Sequence, residues 1–162
     1  MSTMLSITSQ YALRALSHLA AWSGEPVLGR DLAEAVEIPA NYLSKVLLTL
    51  RNAGLVVTAR GSGGGYRLGK PAGEIHLVDV VELFEEISRT KPACFLGRTR
   101  PCSETTPCNA HSSWASLQAA YLQFLILTPL STIAGRRGDV WISSGQTREP
   151  HSQPEQITHL GE

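Results

Sequence analysis

The sequence has no long hydrophobic run. Nowhere do about 18 apolar residues follow one another, as a membrane-spanning helix requires. The first ten residues, MSTMLSITSQ, also lack the apolar core of a secretory signal peptide. The composition, 43% hydrophobic and 17% charged, is that of an ordinary globular chain. We therefore expect a cytoplasmic protein with no membrane partner.

Motifs of the common enzyme classes are lacking as well. No pair of carboxylates, no Ser/His/Asp order and no phosphate-binding loop stands out. The glycine-rich stretch GSGGGY (61–66) is expected at a hairpin tip, whereas nucleotide-binding loops join a strand to a helix. We expect the protein not to be an enzyme.

Cysteine is scarce, and its number is odd. All three cysteines fall between positions 94 and 108. A disulfide framework needs an even number and a secreted setting, and neither is visible. Clustered thiols in a reducing compartment are more typical of metal binding or redox sensing.

Excess charge is also absent, since 14 basic and 14 acidic residues give a net charge of zero. This argues against a general binder of polyanions. The distribution is uneven, however, because residues 38–73 contain five basic residues and no acid. A basic stretch within a neutral protein indicates a local nucleic-acid interface.

The order of predicted elements in the first half is that of a winged helix-turn-helix. Apolar residues at helical spacing predict helices over 8–22, 29–36 and 39–52. The β-branched run 55–58 and the segment 66–68 predict two strands joined by a glycine-rich tip. In this architecture the second helix of the pair fits the major groove and the hairpin reaches the adjacent backbone.

The helix over 39–52 is expected to bury one face and to present the other to DNA. Its apolar stripe is Leu43, Val46, Leu47 and Leu50. Polar and basic side chains near the start of the helix and on the hairpin are left for bases and phosphates. The predicted DNA-binding residues are Asn41, Tyr42, Ser44, Lys45, Arg51, Arg60, Ser62 and Gly63.

The second half is predicted to hold a sensor and a dimerisation helix. An acidic amphipathic helix is expected over 77–88, a loop containing the cysteines over 90–112 and a long helix over 113–127, ended or kinked by Pro129. The apolar stripe of the long helix predicts a dimer interface made of Trp114, Leu117, Tyr121, Phe124 and Leu125. We divide the chain into a DNA-binding region (1–73), a cluster and dimerisation region (74–133) and a disordered tail (134–162).

Three motifs resemble a known family. The segments YALRAL (11–16), IPANYLSKVLLTLRNAGLV (38–56) and RGSGGGYRL (60–68) are similar to motifs of the Rrf-two family, the regulators of the IscR, NsrR and RirA type. The resemblance covers about residues 5–133. It implies a mainly helical homodimer whose long helices cross and whose wings and recognition helices read a palindromic operator. At Ser44 some members carry an acidic side chain, so the operator sequence does not carry over.

The cysteines are spaced C-x7-C-x5-C-x2-H, from Cys94 through Cys102 and Cys108 to His111. This is not the CxxC pairing of a zinc ribbon, and longer gaps on a loop suit a larger group with soft ligands. We expect an iron–sulfur cluster, as 4Fe-4S or 2Fe-2S, with His111 as the nearest candidate for a fourth ligand. In some members of the family that ligand is a carboxylate of the partner's first helix, and here Gln10 occupies the position.

Other interpretations of the cysteines stay open. They fit a thiol redox switch, a structural zinc site with three cysteines and one histidine, or an inert loop. Two functions follow. One is a transcription regulator whose operator binding is controlled by a cluster responding to iron, redox state or nitric oxide. The other is a cluster-free winged-helix regulator or protein-interaction module with a thiol switch or a structural zinc.

Overall fold

The computed structural model describes residues 5–22, 25–61, 63–85, 94–96 and 102–134. The predicted tail (134–162), apart from Ala134, and most of the segment 86–101 lie outside the described residues. Within the described part the fold is mainly helical, with one two-stranded antiparallel sheet. No helix of that part has the length and apolar character needed to cross a bilayer.

The first half contains three helices and the hairpin, as the sequence predicts. The helices are α1 (Ile7–Ala21), α2 (Gly29–Ala35) and α3 (Ala40–Asn52). The hairpin strands β1 (Val56–Ala59) and β2 (Gly65–Leu68) pair in register from Val56 opposite Leu68 to Ala59 opposite Gly65. The winged helix-turn-helix is confirmed.

Local signals set the ends of these helices. The Ser6 hydroxyl accepts the backbone N–H of Ser9 and caps α1. Gly54, with φ of 74°, ends α3 in the left-handed conformation that glycine adopts without strain. The N–H of Leu55 then bonds the carbonyl of Leu50, and the chain turns directly into β1.

The second half departs from the predicted spans. The helix expected over 77–88 is shorter, because α4 covers Leu77–Val81 and a turn follows over 82–84. The N–H groups of Leu83 and Phe84 bond carbonyls three residues back, which tightens the backbone out of the α-helix. The remainder of that predicted helix, 86–88, lies outside the described residues.

The long helix α5 (His111–Leu127) begins two residues earlier than predicted and ends where expected, before Pro129. A short helix α6 (Leu130–Ile133) follows. One hydrophobic core joins α1, α2, α3 and β1 to α4, α5 and α6, and among its fully buried side chains are Leu16, Leu47, Ile75, Leu125 and Leu130. The winged helix-turn-helix and the half with the cysteines therefore share one packed interior.

Candidate functional site

Helix α3 has one buried face and one exposed face. Its predicted stripe is buried, with Leu43, Val46, Leu47 and Leu50 at most 2% exposed. On the opposite side Asn41, Ser44 and Lys45 are all exposed, at helical positions i, i+3 and i+4. The polar side chains that the sequence assigned to DNA thus form one stripe.

Two of these side chains also hold the first turns of α3. Asn41 accepts the N–H of Tyr42 on its Oδ1 at 2.9 Å, and the Ser44 hydroxyl donates to the carbonyl of Ala40 at 2.7 Å. Asn41 keeps its N–H2 group as a donor, and the Ser44 oxygen keeps acceptor capacity. These are the groups that base edges in the major groove can meet.

Tyr42 is placed differently from its neighbours in the predicted set. It is half-buried, its hydroxyl shares a 2.6 Å hydrogen bond with Thr8 of α1, and its ring meets Tyr11 edge-on at 5.4 Å between centroids. These contacts occupy both its polar and its apolar part. We therefore assign Tyr42 to the orientation of α3 on α1 and leave it out of the proposed DNA contacts.

The remaining predicted DNA-binding residues lie at the end of α3 and on the wing. Arg51 at the end of α3, Arg60 after β1 and Gly63 at the tip are exposed. Ser62 lies outside the described residues. The wing is fixed to the body because Val27 and Tyr66 exchange two backbone hydrogen bonds of 2.8 and 2.9 Å. The acid-free stretch 38–73 contains α3 and the wing, so both elements carry basic side chains and no acidic ones.

The three cysteines converge, although 14 residues separate the first from the last. Their sulfur atoms lie within 4.8 Å of one another, and the Sγ atoms of Cys94 and Cys108 are 3.8 Å apart. The predicted fourth donor is also present, since Nδ1 of His111 lies 3.1 Å from Sγ of Cys102. All four side chains are partly accessible.

A cavity of about 580 Å³ adjoins the thiols. One face of α5 lines it with His111, Trp114, Ala115 and Gln118, which are spaced i, i+3, i+4 and i+7. The ring of Phe95, next to the first cysteine, packs on Trp114 at 5.3 Å between centroids. The beginning of α5 therefore supports the thiol group from one side.

Crowding of the thiols affects their protonation. The backbone N–H of Cys108 donates to Sγ of Cys102 at 3.3 Å and by itself lowers the pKa of Cys102. Desolvation and the neighbouring Cys108 and Cys94 thiols act in the opposite direction and prevail, so the pKa of Cys102 is raised. A bound cation would remove the repulsion between thiolates, and binding would release protons.

The donor set suits a thiophilic metal group. Soft thiolates and an imidazole bind zinc or iron–sulfur centres. On a single tetrahedral ion with bonds of about 2.3 Å, sulfur ligands are about 3.8 Å apart, which matches Cys94 and Cys108. Thiolates on separate irons of a cluster lie further apart, so a cluster requires the loop to widen, and the adjoining cavity offers room.

Gln10, at the position of the carboxylate ligand in some family members, donates its side-chain N–H to the carbonyl of Leu5 at 3.0 Å. It is not among the residues that line the thiol cavity within the described chain. Among the described residues, His111 brings a ring nitrogen to within 3.1 Å of a thiol.

The predicted dimer residues of α5 differ in exposure. Leu117 and Phe124 are 51% and 52% exposed, whereas Trp114 and Tyr121 are half-buried. Leu125 is only 1% exposed, because it packs into the core of its own protomer, and it is removed from the proposed interface. Two apolar residues absent from the prediction, Ile126 and Leu127, are 46% and 74% exposed.

Sequence reasoning overlooked two residues of these surfaces. Leu48 is 49% exposed on the polar stripe of α3, seven residues after Asn41, although its apolar character suggested nothing about DNA. Gln118 lines the thiol cavity from α5 and has no sequence motif. Helical spacing from Asn41 and from His111 was the signal that could have identified each of them.

Comparison with known families gives one match over most of the chain. The family described as "Rrf2: Iron-dependent Transcriptional regulator" matches residues 5–136. A relative, the HTH-type transcriptional regulator IscR of Vibrio atlanticus, is 37% identical over 123 residues, which are 75% of this chain and 69% of that protein.

Solved structures with the same fold include two transcription regulators. CymR, the global cysteine regulator of B. subtilis, gives a TM-score of 0.63 at 26% identity and covers 82% of this chain and 97% of its own. IscR of T. potens gives a TM-score of 0.61 at 26% identity, covering 81% of this chain and 85% of its own. Both likenesses extend beyond the DNA-binding half into the region with the cysteines.

Proposed function

The chain belongs to the Rrf2 family of winged-helix transcriptional regulators, and from that membership we propose that an iron–sulfur cluster on Cys94, Cys102 and Cys108 controls its binding to DNA. Its fold and relatives are those of transcription regulators and not of enzymes. The observation that supports the proposal is the convergence of three thiols and His111 beside a cavity. The description of the family as iron-dependent agrees with it.

In this proposal the three cysteines and His111 would hold the cluster. Oxygen, nitric oxide or iron shortage would remove the cluster from these residues. A 4Fe-4S centre is the first choice and a 2Fe-2S centre the alternative. The residues of the chain do the remaining work. Beside the first cysteine Phe95 packs on Trp114 of α5, so a displacement of Cys94 would be passed to the start of α5.

A row of contacts connects α5 with the recognition helix. Helix α5 packs on α4, and desolvation first, and then the Glu85 carboxylate just after α4, raise the pKa of Tyr121 on α5. Glu85 accepts the backbone N–H of Ser6 at 2.8 Å, at the N-terminal cap of α1. Two residues later Thr8 bonds Tyr42 of α3. A change at the loop thus has a physical route to α3.

For DNA we propose a homodimer on a palindromic operator. Helix α3 would enter the major groove with Asn41, Ser44 and Lys45, while Arg51, Arg60, Ser62 and Gly63 contact the backbone or the minor groove. Two recognition helices have to match half-sites about one helical turn apart, roughly 34 Å. A small shift of α5 in the dimer would change this separation and hence the affinity.

Anaerobic reconstitution with iron and sulfide tests the cluster. We expect a brown protein with acid-labile sulfide, and counting iron and sulfide per chain separates four-iron from two-iron centres. Exchange of any one cysteine for serine should abolish the colour. His111→Ala should weaken retention or change the spectrum, while Ser112→Ala, at the exposed next position of α5, should change neither. A protein without acid-labile sulfide would refute the cluster.

A structural zinc site is the second candidate, and the 3.8 Å between the sulfurs of Cys94 and Cys108 favours it. It predicts a colourless protein with one zinc per chain after aerobic purification. Operator binding would then be independent of oxygen and nitric oxide. Metal analysis beside the sulfide assay decides between the two.

The proposed DNA contacts are tested by operator affinity at several salt concentrations. Each lost phosphate contact should reduce the slope of log affinity against log salt by about 0.9. We expect Lys45→Ala and Arg60→Ala each to weaken binding, and a duplex of unrelated sequence serves as the control. If neither substitution changes operator affinity, this docking is wrong.

A further inference from the structure

One of the residues that line the cavity beside the thiols, Gln118, has an unsatisfied polar atom. The side-chain oxygen Oε1 of Gln118 is buried, and none of the residues that the structure describes donates a hydrogen bond to it. A buried amide oxygen without a donor costs about 1–3 kcal/mol, so a group in this position calls for an explanation. Gln118 lies on the face of α5 that also carries His111 and Trp114.

The chemistry of the cavity indicates what this amide meets. The sulfur atoms of Cys94, Cys102 and Cys108 line the same cavity as Gln118, and as thiolates or sulfides they accept hydrogen bonds but donate none. The two ends of a carboxamide have nearly the same shape, so a half-turn about the terminal bond exchanges Oε1 for the N–H2 group without loss of packing. An N–H there would be satisfied only when acceptors are present in the cavity.

We propose that Gln118 is a positioning residue of the metal centre, whose side-chain amide donates a hydrogen bond to sulfur of the thiolate-bound group. The inference rests on the proposed function, since it requires such a group on Cys94, Cys102 and Cys108. Hydrogen bonds to sulfur raise the reduction potential of iron–sulfur centres, and partners of the ligands help to retain metal. Gln118 would therefore set both the potential and the lifetime of the centre.

If Gln118 has this role, its substitution should raise the stability of the metal-free chain and at the same time weaken retention of the metal group. Gln118→Leu removes a buried polar atom that lacks a partner, so the melting temperature of the metal-free protein should rise. In the reconstituted protein the same variant should lose its colour to a chelator roughly tenfold faster, as outer partners of metal ligands typically act. Its reduction potential should fall. A purely structural residue would move stability and retention in the same direction.

Gln118→Glu tests whether the side chain at this position donates or accepts the hydrogen bond. Because a carboxylate accepts but does not donate, this variant should also release the group faster and lower its potential. If Oε1 were instead a direct metal ligand, the carboxylate would slow release and shift the visible spectrum. That result would overturn the inference. Gln123→Leu is the matched control, because Gln123 is exposed on another side of α5.

Two failures can be told apart. A wild-type chain that takes up iron and sulfide, with both Gln118 variants indistinguishable from it in release and potential, overturns the role of Gln118 alone. A wild-type chain that takes up no metal group at all overturns the proposed function and this inference with it. Circular dichroism of the variants shows whether each has folded.

Discussion

At the scale of single residues, Tyr42 shows how a side chain in a DNA-reading helix serves the fold. Its hydroxyl and Thr8 share a 2.6 Å hydrogen bond between partly buried groups. We expect Tyr42→Phe to lower the free energy of unfolding by about 1 kcal/mol, the usual net value of such a bond. Operator affinity of the folded protein should change little. Urea unfolding and a binding titration measure the two effects.

The double variant with Thr8→Val provides the control for Tyr42. If the two hydroxyls contact mainly each other, the second substitution should add little to the first, and a double-mutant cycle should give a coupling close to the single effect. Additive losses would show that the hydroxyls act separately. A large loss of operator affinity in Tyr42→Phe at full stability would return Tyr42 to the DNA contacts.

His18 makes the stability of the fold depend on pH. Burial lowers the pKa of His18 below its ordinary 6.5, so the unfolded chain takes up this proton at a higher pH than the folded chain. The stability is therefore complete above pH 6.5 and is lost as the pH falls through that value. We expect the melting temperature to fall between pH 7.5 and 5.5, and less steeply in His18→Gln. Equal slopes would contradict the assignment.

At the scale of elements, hydrophobic periodicity predicted the buried face of α3. It did not predict where α4 ends. The stripe of Leu43, Val46, Leu47 and Leu50 repeats every three to four residues, so α3 and its buried face could be read directly. Residues 77–88 keep the same period, yet α4 ends at Val81. The end comes where the N–H groups of Leu83 and Phe84 bond carbonyls three residues back. At the start of α4 the N–H of Leu77 bonds the carbonyl of Thr128, 51 residues away, and no local pattern contains this contact.

Gly65 is one of the wing glycines at which two backbone segments approach closely. A Cβ on Gly65 would overlap the carbonyl oxygen of Val27, next to the hydrogen bonds that join Val27 to Tyr66. We expect Gly65→Ala to displace the wing and to cost roughly 1–3 kcal/mol, as overpacking does. Operator affinity should fall as well, because Arg60 moves with the wing. Urea unfolding and operator titration measure both losses.

Gly63→Ala is the matched control for the wing. Among the described residues nothing lies within 4 Å of a Cβ at this position, so its stability should stay within about 0.5 kcal/mol of wild type. A Gly65→Ala variant as stable as Gly63→Ala would show that the backbone contact at Val27 does not hold the wing.

At the scale of the whole molecule, sequence spacing named the candidate ligands but not their arrangement. The soft donors Cys94, Cys102, Cys108 and His111 were apparent because the same chemistry recurs within 18 residues. Their approach to within 4.8 Å for the thiols, and the support from α5, depend on how the loop folds back on the helix. Gln118 joins the site only through that packing, which explains why no motif predicted it.

The exposed side of α5 bears on the assembly of two chains. Leu117 and Phe124 lie two helical turns apart on one stripe and are about half exposed, and Leu127 near the end of the helix is 74% exposed. Large apolar side chains grouped on a surface in this way mark an interaction site. The palindromic operator that we propose would also require a symmetric pair of recognition helices. We therefore propose a second copy of this chain as the partner on this side of α5.

A charge placed in this stripe should therefore separate the dimer. We expect Phe124→Glu to shift sedimentation of the protein from dimer to monomer, since burying an unpaired carboxylate at an interface is costly. Operator affinity should fall steeply, because one chain reads only one half-site. Gln123→Glu adds the same charge at the exposed neighbouring position and should stay dimeric. If Phe124→Glu sediments as wild type does, α5 is not the dimer helix, and the spacing of recognition helices must be set by another surface.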